Sequence, residues 1–222
     1  MKFITLSDTH GQHRSKKLNK FLHENSADVL LFAGDLQANH FDTGEDFVEW
    51  LHYLPYKYKI MTFGNHDSNW EYVAEKARLY SDVVILNNYY VVLDENIKIW
   101  GSPYSLTFLD WWFMKSDKEL EEIYKDIPND VDIIMTHTPA FGILDMTKDD
   151  ILTGSMSLLN RIKELKKLKY SVCGHIHEQS GTCTMNKYLA LKDIHFINAS
   201  VLNEKYQLVH DPQIFEINGD QL

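Results

Sequence analysis

The chain has 222 residues, 44% of them hydrophobic and 24% charged, a composition typical of a soluble globular protein with a full-sized core. A net charge of −10 argues against stable binding of long nucleic acid, which depends on Lys and Arg contacts to phosphates. Two cysteines are too few for a disulfide framework, and no apolar run is long enough to cross a membrane. Without a signal-peptide pattern at its start, the chain is expected to be a cytoplasmic protein with one domain spanning residues 1–222.

The amino-terminal half alternates apolar strands with amphipathic helices. Hydrophobic periodicity predicts strands at 2–7, 29–33 and 59–63, and helices at 15–25, 45–53 and 70–80. Ser68 is the expected cap of the third helix. Residues 83–86 and 89–93 flank Asn87-Asn88 in the pattern of a β-hairpin, and a further strand is predicted at 97–101.

The carboxy-terminal half is less regular. Residues 103–115 are predicted to be an aromatic loop. Helices are predicted at 117–125 and 155–168, and strands at 132–135, 170–173, 182–185, 195–198 and 213–217. Strand-helix alternation followed by β segments predicts an α/β fold, with two sheets packed face to face and helices outside.

Metal-binding side chains follow five of these apolar runs. The segments are Asp8-Thr9-His10, Gly34-Asp35, Gly64-Asn65-His66-Asp67, Thr136-His137-Thr138 and Gly174-His175-Ile176-His177. Because nearly every segment sits just past a strand, their carboxylates, amide and imidazoles are expected at one edge of one sheet. The seven candidate ligands predict a two-metal site: Asp8, His10, Asp35, Asn65, His137, His175 and His177.

The charge of such a site suggests its chemistry. Two doubly charged ions about 3.5–4 Å apart repel by on the order of 20 kcal/mol at an effective dielectric of about 20, so anions must lie between and around them. Asp35 is the best bridging candidate, because Gly34 permits close backbone approach and each carboxylate oxygen can take one metal. Asp8 adds a second anion, and a bridging hydroxide adds a third. This hydroxide is the expected nucleophile, and a phosphoester substrate completes the charge balance.

The ligand types also limit the choice of metal. Imidazole with carboxylate suits iron, manganese or zinc, and the absence of cysteine ligands argues against a structural zinc site. We expect two divalent or trivalent ions, with manganese supporting activity in vitro.

In their order along essentially the whole chain, these motifs resemble those of the calcineurin-like metallophosphoesterase superfamily. The resemblance implies a four-layer α/β/β/α sandwich, in which two mixed β-sheets are flanked by helices, and a binuclear metal-dependent phosphoesterase. It implies that His66 acts at the leaving-group oxygen as a proton donor or charge stabiliser, with Asp67 as its orienting partner. It also divides the ligands into Asp8, His10, Asp35 and His177 for one metal, and Asp35, Asn65, His137 and His175 for the other.

A closer resemblance is to the small metallophosphoesterase-domain proteins related to the class III cyclic nucleotide phosphodiesterases. It rests on Ser7-Asp8-Thr9-His10-Gly11, residues 54–59, Gly174-His175-Ile176-His177-Glu178, residues 196–200 and residues 212–215. This resemblance implies hydrolysis of phosphodiesters, with small and cyclic nucleotides as substrates. A phosphomonoesterase or nuclease of the same superfamily is the alternative enzyme. The alternative from another class is a metal- or nucleotide-binding scaffold with negligible turnover.

Further residues have both a binding and a structural interpretation. Trp111 and Trp112 either stack a nucleobase or support a long loop or a subunit interface. His13 and Arg14, just past the first motif, either reach a substrate phosphate or are structural. Asn65 and His66 complete the candidate substrate-binding residues, and the expected partner is a small phosphorylated molecule rather than a membrane.

Overall fold

The computed structural model describes residues 1–37, 44–185 and 194–218, which form two packed β-sheets with helices on their outer faces. The helices are α1 (Lys16–Glu24), α2 (Glu45–Tyr53), α3 (Trp70–Ala77), α4 (Asp117–Tyr124) and α5 (Met156–Glu164). The strands are β1 (Lys2–Leu6), β2 (Val29–Ala33), β3 (Tyr58–Thr62), β4 (Val83–Ile85), β5 (Tyr89–Val92), β6 (Lys98–Ser102), β7 (Ser105–Leu106), β8 (Met114–Lys115), β9 (Ile133–Thr136), β10 (Tyr170–Cys173), β11 (Gly181–Met185), β12 (Ile194–Asn198) and β13 (Gln213–Glu216).

Both large sheets are mixed. The first has the order β13-β1-β2-β3-β4, with β1 to β4 parallel and β13 antiparallel at the edge. The second has the order β11-β12-β10-β9-β6-β5, with four parallel strands between antiparallel β11 and β5. Within the predicted aromatic loop, β7 and β8 form a short parallel pair.

Successive side chains along a strand point to opposite faces of the sheet, so each strand contributes to two packed layers. In β1, Phe3 packs between the two sheets, whereas Ile4 packs with α1, α2 and α3 on the outer face of the first sheet. Trp100 and Ile134 pack with α4 and α5 on the outer face of the second sheet. The layers are therefore helix, sheet, sheet and helix, which confirms the predicted four-layer sandwich.

Side-chain caps define several helix starts. The Ser15 and Ser155 hydroxyls accept N–H bonds at the starts of α1 and α5. The predicted cap of α3 is wrong, because Asn69 precedes the helix and the Ser68 hydroxyl donates to Gln37 Oε1 at 3.3 Å.

Helix α5 ends at Glu164 rather than at 168, because the chain becomes extended at the next residue. None of the described helices combines the length and apolar character of a membrane-spanning segment.

The predicted hairpin at 83–93 is wrong. Strand β4 pairs with β3 in the first sheet, while β5 pairs with β6 in the second. The intervening turn is anchored to the second sheet: the Asn88 N–H donates to Gly101 O at 2.9 Å, and Ser102 Oγ donates to Asn88 Oδ1 at 2.8 Å. The Asn87-Asn88 segment therefore carries the chain from one sheet to the other.

The two sheets meet where β1 and β12 end. The Ser7 N–H donates to Ala199 O at 2.9 Å, and the Val201 N–H donates to Ser7 O at 3.2 Å. This contact aligns the carboxyl ends of parallel strands from both sheets along one edge of the sandwich.

Candidate metal centre

All seven predicted ligands lie at this shared edge, in the turns that follow five parallel strands. Those turns follow β1 (Asp8 and His10), β2 (Asp35), β3 (Asn65), β9 (His137) and β10 (His175 and His177). The expectation of a single sheet is wrong, because the first three strands belong to one sheet and the last two to the other. The cluster thus bridges the sheets.

Two glycines let these turns approach one another. A Cβ at Gly64 would lie 2.6 Å from His137 Cε1 and would also overlap the Asp35 carboxylate. A Cβ at Gly34 would lie 2.6 Å from His137 Nδ1 and 2.5 Å from Phe63 O. Any side chain at either position would push the second-sheet histidine away from the first-sheet carboxylate.

Four of the candidate ligands have left-handed backbone conformations. The φ angles are +55° for Asp8, +40° for His10, +59° for Asp35 and +69° for His175. Residues with a Cβ rarely adopt such angles, and sites that retain them are commonly functional. The backbone of each turn is bent so that its polar side chain points into the shared edge.

Three imidazoles are oriented by backbone carbonyls. A carbonyl oxygen can only accept, so Nδ1 of each ring is the donor, and Nε2 faces the cluster with a lone pair whenever the ring is neutral. The pairs are His10 with Gln37 (3.3 Å), His137 with Ala33 (2.8 Å) and His177 with Asn203 (3.1 Å).

Three of four separations between candidate ligand atoms match those around a bound cation, and the fourth is slightly longer. Two atoms bound to one ion at about 2.1 Å lie about 3.0–3.4 Å from each other, depending on the angle between them. The corresponding separations are 3.6 Å for His10 Nε2 to Asp35 Oδ2, 3.3 Å for His137 Nε2 to the same oxygen, 3.4 Å for His177 Nε2 to Asp8 Oδ1 and 3.0 Å for His137 Nε2 to Asn65 Oδ1. His10 Nε2 is also buried without a hydrogen-bond partner in the described part of the chain.

The charges of the cluster also suit cations. Burial opposes ionisation of Asp8, but the hydrogen bond and charge of His177 outweigh it and lower the pKa of Asp8 to about 2. Burial lowers the pKa of His10 to about 4 and that of His175 to about 3. Burial also acts to lower the pKa of His137, but the Asp35 charge beside it raises this pKa to about 9. A cation at Asp35 would take the place of that proton.

The His66 side chain lies at the border of the cluster, with a ring nitrogen within 4.8 Å of ligand atoms of His10 and Asp35. Its backbone N–H donates to Asp35 Oδ1 at 2.9 Å, and its ring centroid is 4.7 Å from that of His10 and 4.2 Å from that of Trp111. Burial lowers the pKa of the His66 imidazole. The ring is within reach of a molecule bound at the cluster.

Asp67 connects two of the motif turns. Its carboxylate accepts N–H bonds from Gly64 (2.8 Å), Asp35 (3.1 Å), Leu36 (2.9 Å) and Gln37 (3.2 Å). These four contacts hold the turn after β2 against the turn after β3. Asp67 therefore supports the backbone geometry of the site, and its role as the orienting partner of His66 stays a prediction.

A cleft of about 240 Å³ opens above the cluster. Trp111 and Phe108 from the predicted aromatic loop line it, whereas Trp112 is not among the lining residues. Tyr206 also lines the cleft, with its ring centroid 4.9 Å from that of His10. Sequence reasoning missed Tyr206 and the Asn203 carbonyl that orients His177, because both lie in a loop without a recognisable motif.

His13 and Arg14 lie outside the lining of this cleft. The His13 imidazole is buried against Phe47 and Trp50, and its Nε2 lies 3.1 Å from Asp46 Oδ2. Arg14 Nε donates to the same oxygen at 3.1 Å. The structure thus favours the structural interpretation of both residues.

Residues 1–179 match the family model described as calcineurin-like phosphoesterase. This chain belongs to that family. The chain is 31% identical over 240 residues to UPF0046 protein C25E10.12 of Caenorhabditis elegans, and the alignment covers 98% of this chain and 81% of that protein. It is 30% identical to human metallophosphoesterase domain-containing protein 1, with 97% and 71% coverage. These matches confirm the resemblance noted from the motifs.

Solved structures show the same fold at low sequence identity. The calcineurin-like phosphoesterase resembles TT1561 of Thermus thermophilus with a TM-score of 0.67, 14% identity and coverage of 89% and 88% of the two chains. It resembles a dimetal phosphatase from Danio rerio with a TM-score of 0.56, 10% identity and coverage of 89% and 86%. Family membership and the His/Asp clusters make this protein a metal-dependent phosphoric ester hydrolase.

Proposed function

We propose that this enzyme hydrolyses phosphodiester bonds of small nucleotides, cyclic nucleotides included. The observation that carries the proposal is the position of His66 between the ligand cluster and the Trp111 ring, at the floor of a small cleft. This arrangement supplies a proton donor for a leaving oxygen and an aromatic surface for a base next to one phosphate site.

The charge of the cleft favours diesters over more highly charged substrates. Glu178 and Glu204 line it, and Lys148 is the single Lys or Arg among the lining residues that the structure describes. A small diester carries one negative charge, at the phosphate that the ions would bind, whereas a polynucleotide brings further phosphates to the acidic residues. A nuclease role is less well matched to this lining.

The proposed ligand sets are those implied by the motifs: Asp8, His10, Asp35 and His177 for one ion, and Asp35, Asn65, His137 and His175 for the other. When bound, such ions acidify water and offset the charge of the phosphate. Asp67 and the backbone carbonyls behind the histidines hold the ligands in position. The attacking water releases a proton to solvent as its oxygen bonds to phosphorus, the bond to the leaving oxygen breaks, and His66 donates its proton to that oxygen.

The proposal is tested by comparing substrates on manganese-loaded protein. We expect kcat/KM for a cyclic nucleotide and for a nitrophenyl phosphodiester to exceed that for a nucleoside monophosphate by roughly tenfold or more. Preference for the monoester would instead identify a phosphomonoesterase. Absence of turnover on all three substrates would favour a binding scaffold.

Base stacking on Trp111 predicts a substrate-dependent effect. We expect Trp111→Ala to raise KM for a nucleotide diester by roughly fivefold or more, because stacking contributes about 1–3 kcal/mol for each base. Hydrolysis of methyl p-nitrophenyl phosphate should change little. Trp112→Ala is the matched control, since Trp112 lies outside the cleft lining. Equal losses on both substrates in Trp111→Ala would mean that the loop only supports the site.

A further inference from the structure

A second cavity, of about 500 Å³, adjoins the metal cluster at His175 and has no part in the reaction proposed above. Its apolar walls are Leu106, Phe108, Ile151 and Ile176, and we call this cavity the apolar lobe. Its volume lies within the roughly 300–1,000 Å³ of typical small-molecule pockets. It is large enough for an organic group attached to the reacting phosphate.

The apolar lobe is continuous with the metal cleft. Phe108, His175 and Glu178 line both cavities, and the Phe108 ring centroid is 5.9 Å from that of His175. Since His175 is a candidate ligand, a phosphate at the cluster would lie at the mouth of the lobe. One substituent of that phosphate would enter the lobe directly.

The wall formed by residues 147–153 is held in place by a hydrogen bond within it and by hydrogen bonds of the residues that flank it. The Asp145 carboxylate accepts N–H bonds from Gly142 and Gly154, both at 2.9 Å, and the Thr147 N–H donates to Ile151 O at 2.9 Å. Ile151 is nevertheless 58% exposed and Phe108 is 56% exposed. A preformed concave surface with exposed apolar side chains gains free energy when an apolar group covers it.

The polar groups of the lobe favour an uncharged occupant. Glu178 is the single charged residue among the described lining residues apart from any charge on His175, and its carboxylate accepts the Lys148 N–H at 3.2 Å. Thr147 Oγ1 accepts the Ile151 N–H at 3.4 Å, and Thr153 Oγ1 donates to Asp145 O at 2.9 Å. Two of the three lining threonine hydroxyls thus bond to the backbone, and the described lining includes no Lys or Arg, so the lobe suits a hydrocarbon group better than a phosphate.

We propose that the apolar lobe binds an uncharged apolar ester group of an open-chain phosphodiester, so that the enzyme acts on diesters carrying two separate organic groups. The inference rests on the proposed diesterase function and extends its substrate class beyond cyclic nucleotides. His66 does not line the lobe, so the leaving group lies elsewhere and the lobe holds the ester group that stays on phosphorus.

A homologous series of p-nitrophenyl alkyl phosphates tests this assignment. In each reaction the water oxygen bonds to phosphorus and the bond to nitrophenolate breaks, so only the retained alkyl group differs between substrates. Burial of a methylene group predicts a rise in kcat/KM of roughly threefold for each carbon, which is about 80-fold from methyl to pentyl if all four added carbons are buried and about tenfold if only two are. Equal kcat/KM values across the series would overturn the proposal while leaving the diesterase function intact.

Ile151→Asp supplies the matching variant, because it places a charge on the exposed wall of the lobe. We expect the pentyl-to-methyl ratio of kcat/KM to fall toward one. Leu79→Asp, a similar change at a residue that is 71% exposed beyond α3, should keep the wild-type ratio. An unchanged ratio in Ile151→Asp would mean that the alkyl group binds outside the lobe.

A binding measurement separates failure of the lobe from failure of the enzymatic proposal. Calorimetric titration of manganese-loaded protein with methyl phosphate and pentyl phosphate should show tighter binding of the pentyl compound in wild type but not in Ile151→Asp. If the p-nitrophenyl alkyl phosphates are not hydrolysed but pentyl phosphate still binds more tightly than methyl phosphate, the diesterase proposal fails. The assignment of the lobe as an alkyl-binding site is then supported. Equal affinities of wild type for methyl phosphate and pentyl phosphate would contradict the proposal that the lobe binds an alkyl group.

Discussion

We expect His66→Ala to lower kcat by roughly 10²–10⁴ on a phosphodiester with a poor alkoxide leaving group, the usual contribution of a general acid. The variant should still bind two metals, because its side chain is absent from both proposed ligand sets. Steady-state kinetics on a cyclic nucleotide and elemental analysis of the same preparation measure the two properties. Loss of a metal, or full activity on the alkoxide substrate, would contradict the proposed role.

The leaving group distinguishes proton donation from phosphate binding. Nitrophenolate leaves without much protonation, so the loss in His66→Ala should shrink on a nitrophenyl diester. If His66 only bound the phosphate, both substrates would lose activity alike. His23→Ala is the matched control, since His23 is exposed on α1 and its ring bonds to the Asn19 carbonyl.

Asp35→Asn is expected to lose both metals, the largest effect of any single ligand change. Asp35 Oδ2 lies 3.6 Å from His10 Nε2 and 3.3 Å from His137 Nε2, so this one oxygen contacts both halves of the cluster. The amide keeps the size of the side chain but removes the negative charge that offsets repulsion between two cations. Elemental analysis of purified protein gives the metal content directly.

His10→Ala provides the comparison for this experiment. His10 belongs to one proposed ligand set only, so its removal should leave partial occupancy at the other set. Asp126→Asn, at an exposed aspartate beyond α4, controls for loss of one surface charge. Two metals per chain in purified Asp35→Asn would contradict the bridging assignment.

The sequence predicted most of the elements because hydrophobic periodicity reports local structure. Helix α2 and strands β2 and β10 have the predicted bounds, and the sandwich follows from strand-helix alternation. The hairpin failed because two short β runs around Asn87-Asn88 look alike whether they pair with each other or with distant strands. That choice depends on β3 and β6, which offer edges in different sheets.

In the candidate site, too, the features set by neighbouring residues were predictable, whereas those set by residues far apart in the chain were not. Each ligand follows a strand, so its presence at a sheet edge was predictable, but its distribution over both sheets depends on the contact at Ser7. The backbone contacts of Asp67 were not predictable, because they reach back to residues 35–37, about 30 positions earlier in the chain. Tyr206 reaches the site from a loop whose sequence shows no periodicity and no motif.

The left-handed turns have a consequence for the lifetime of the protein. Conformations of this kind cost about 1–3 kcal/mol each, so the four at Asp8, His10, Asp35 and His175 together oppose folding by about 4–12 kcal/mol. A typical domain is stable by only about 5–15 kcal/mol. Cations that bind the folded state but not the unfolded state would raise the free energy of unfolding by mass action. Metal starvation should therefore increase the fraction of unfolded chains and lower the amount of protein through proteolysis. The protein that remains should also lose its activity.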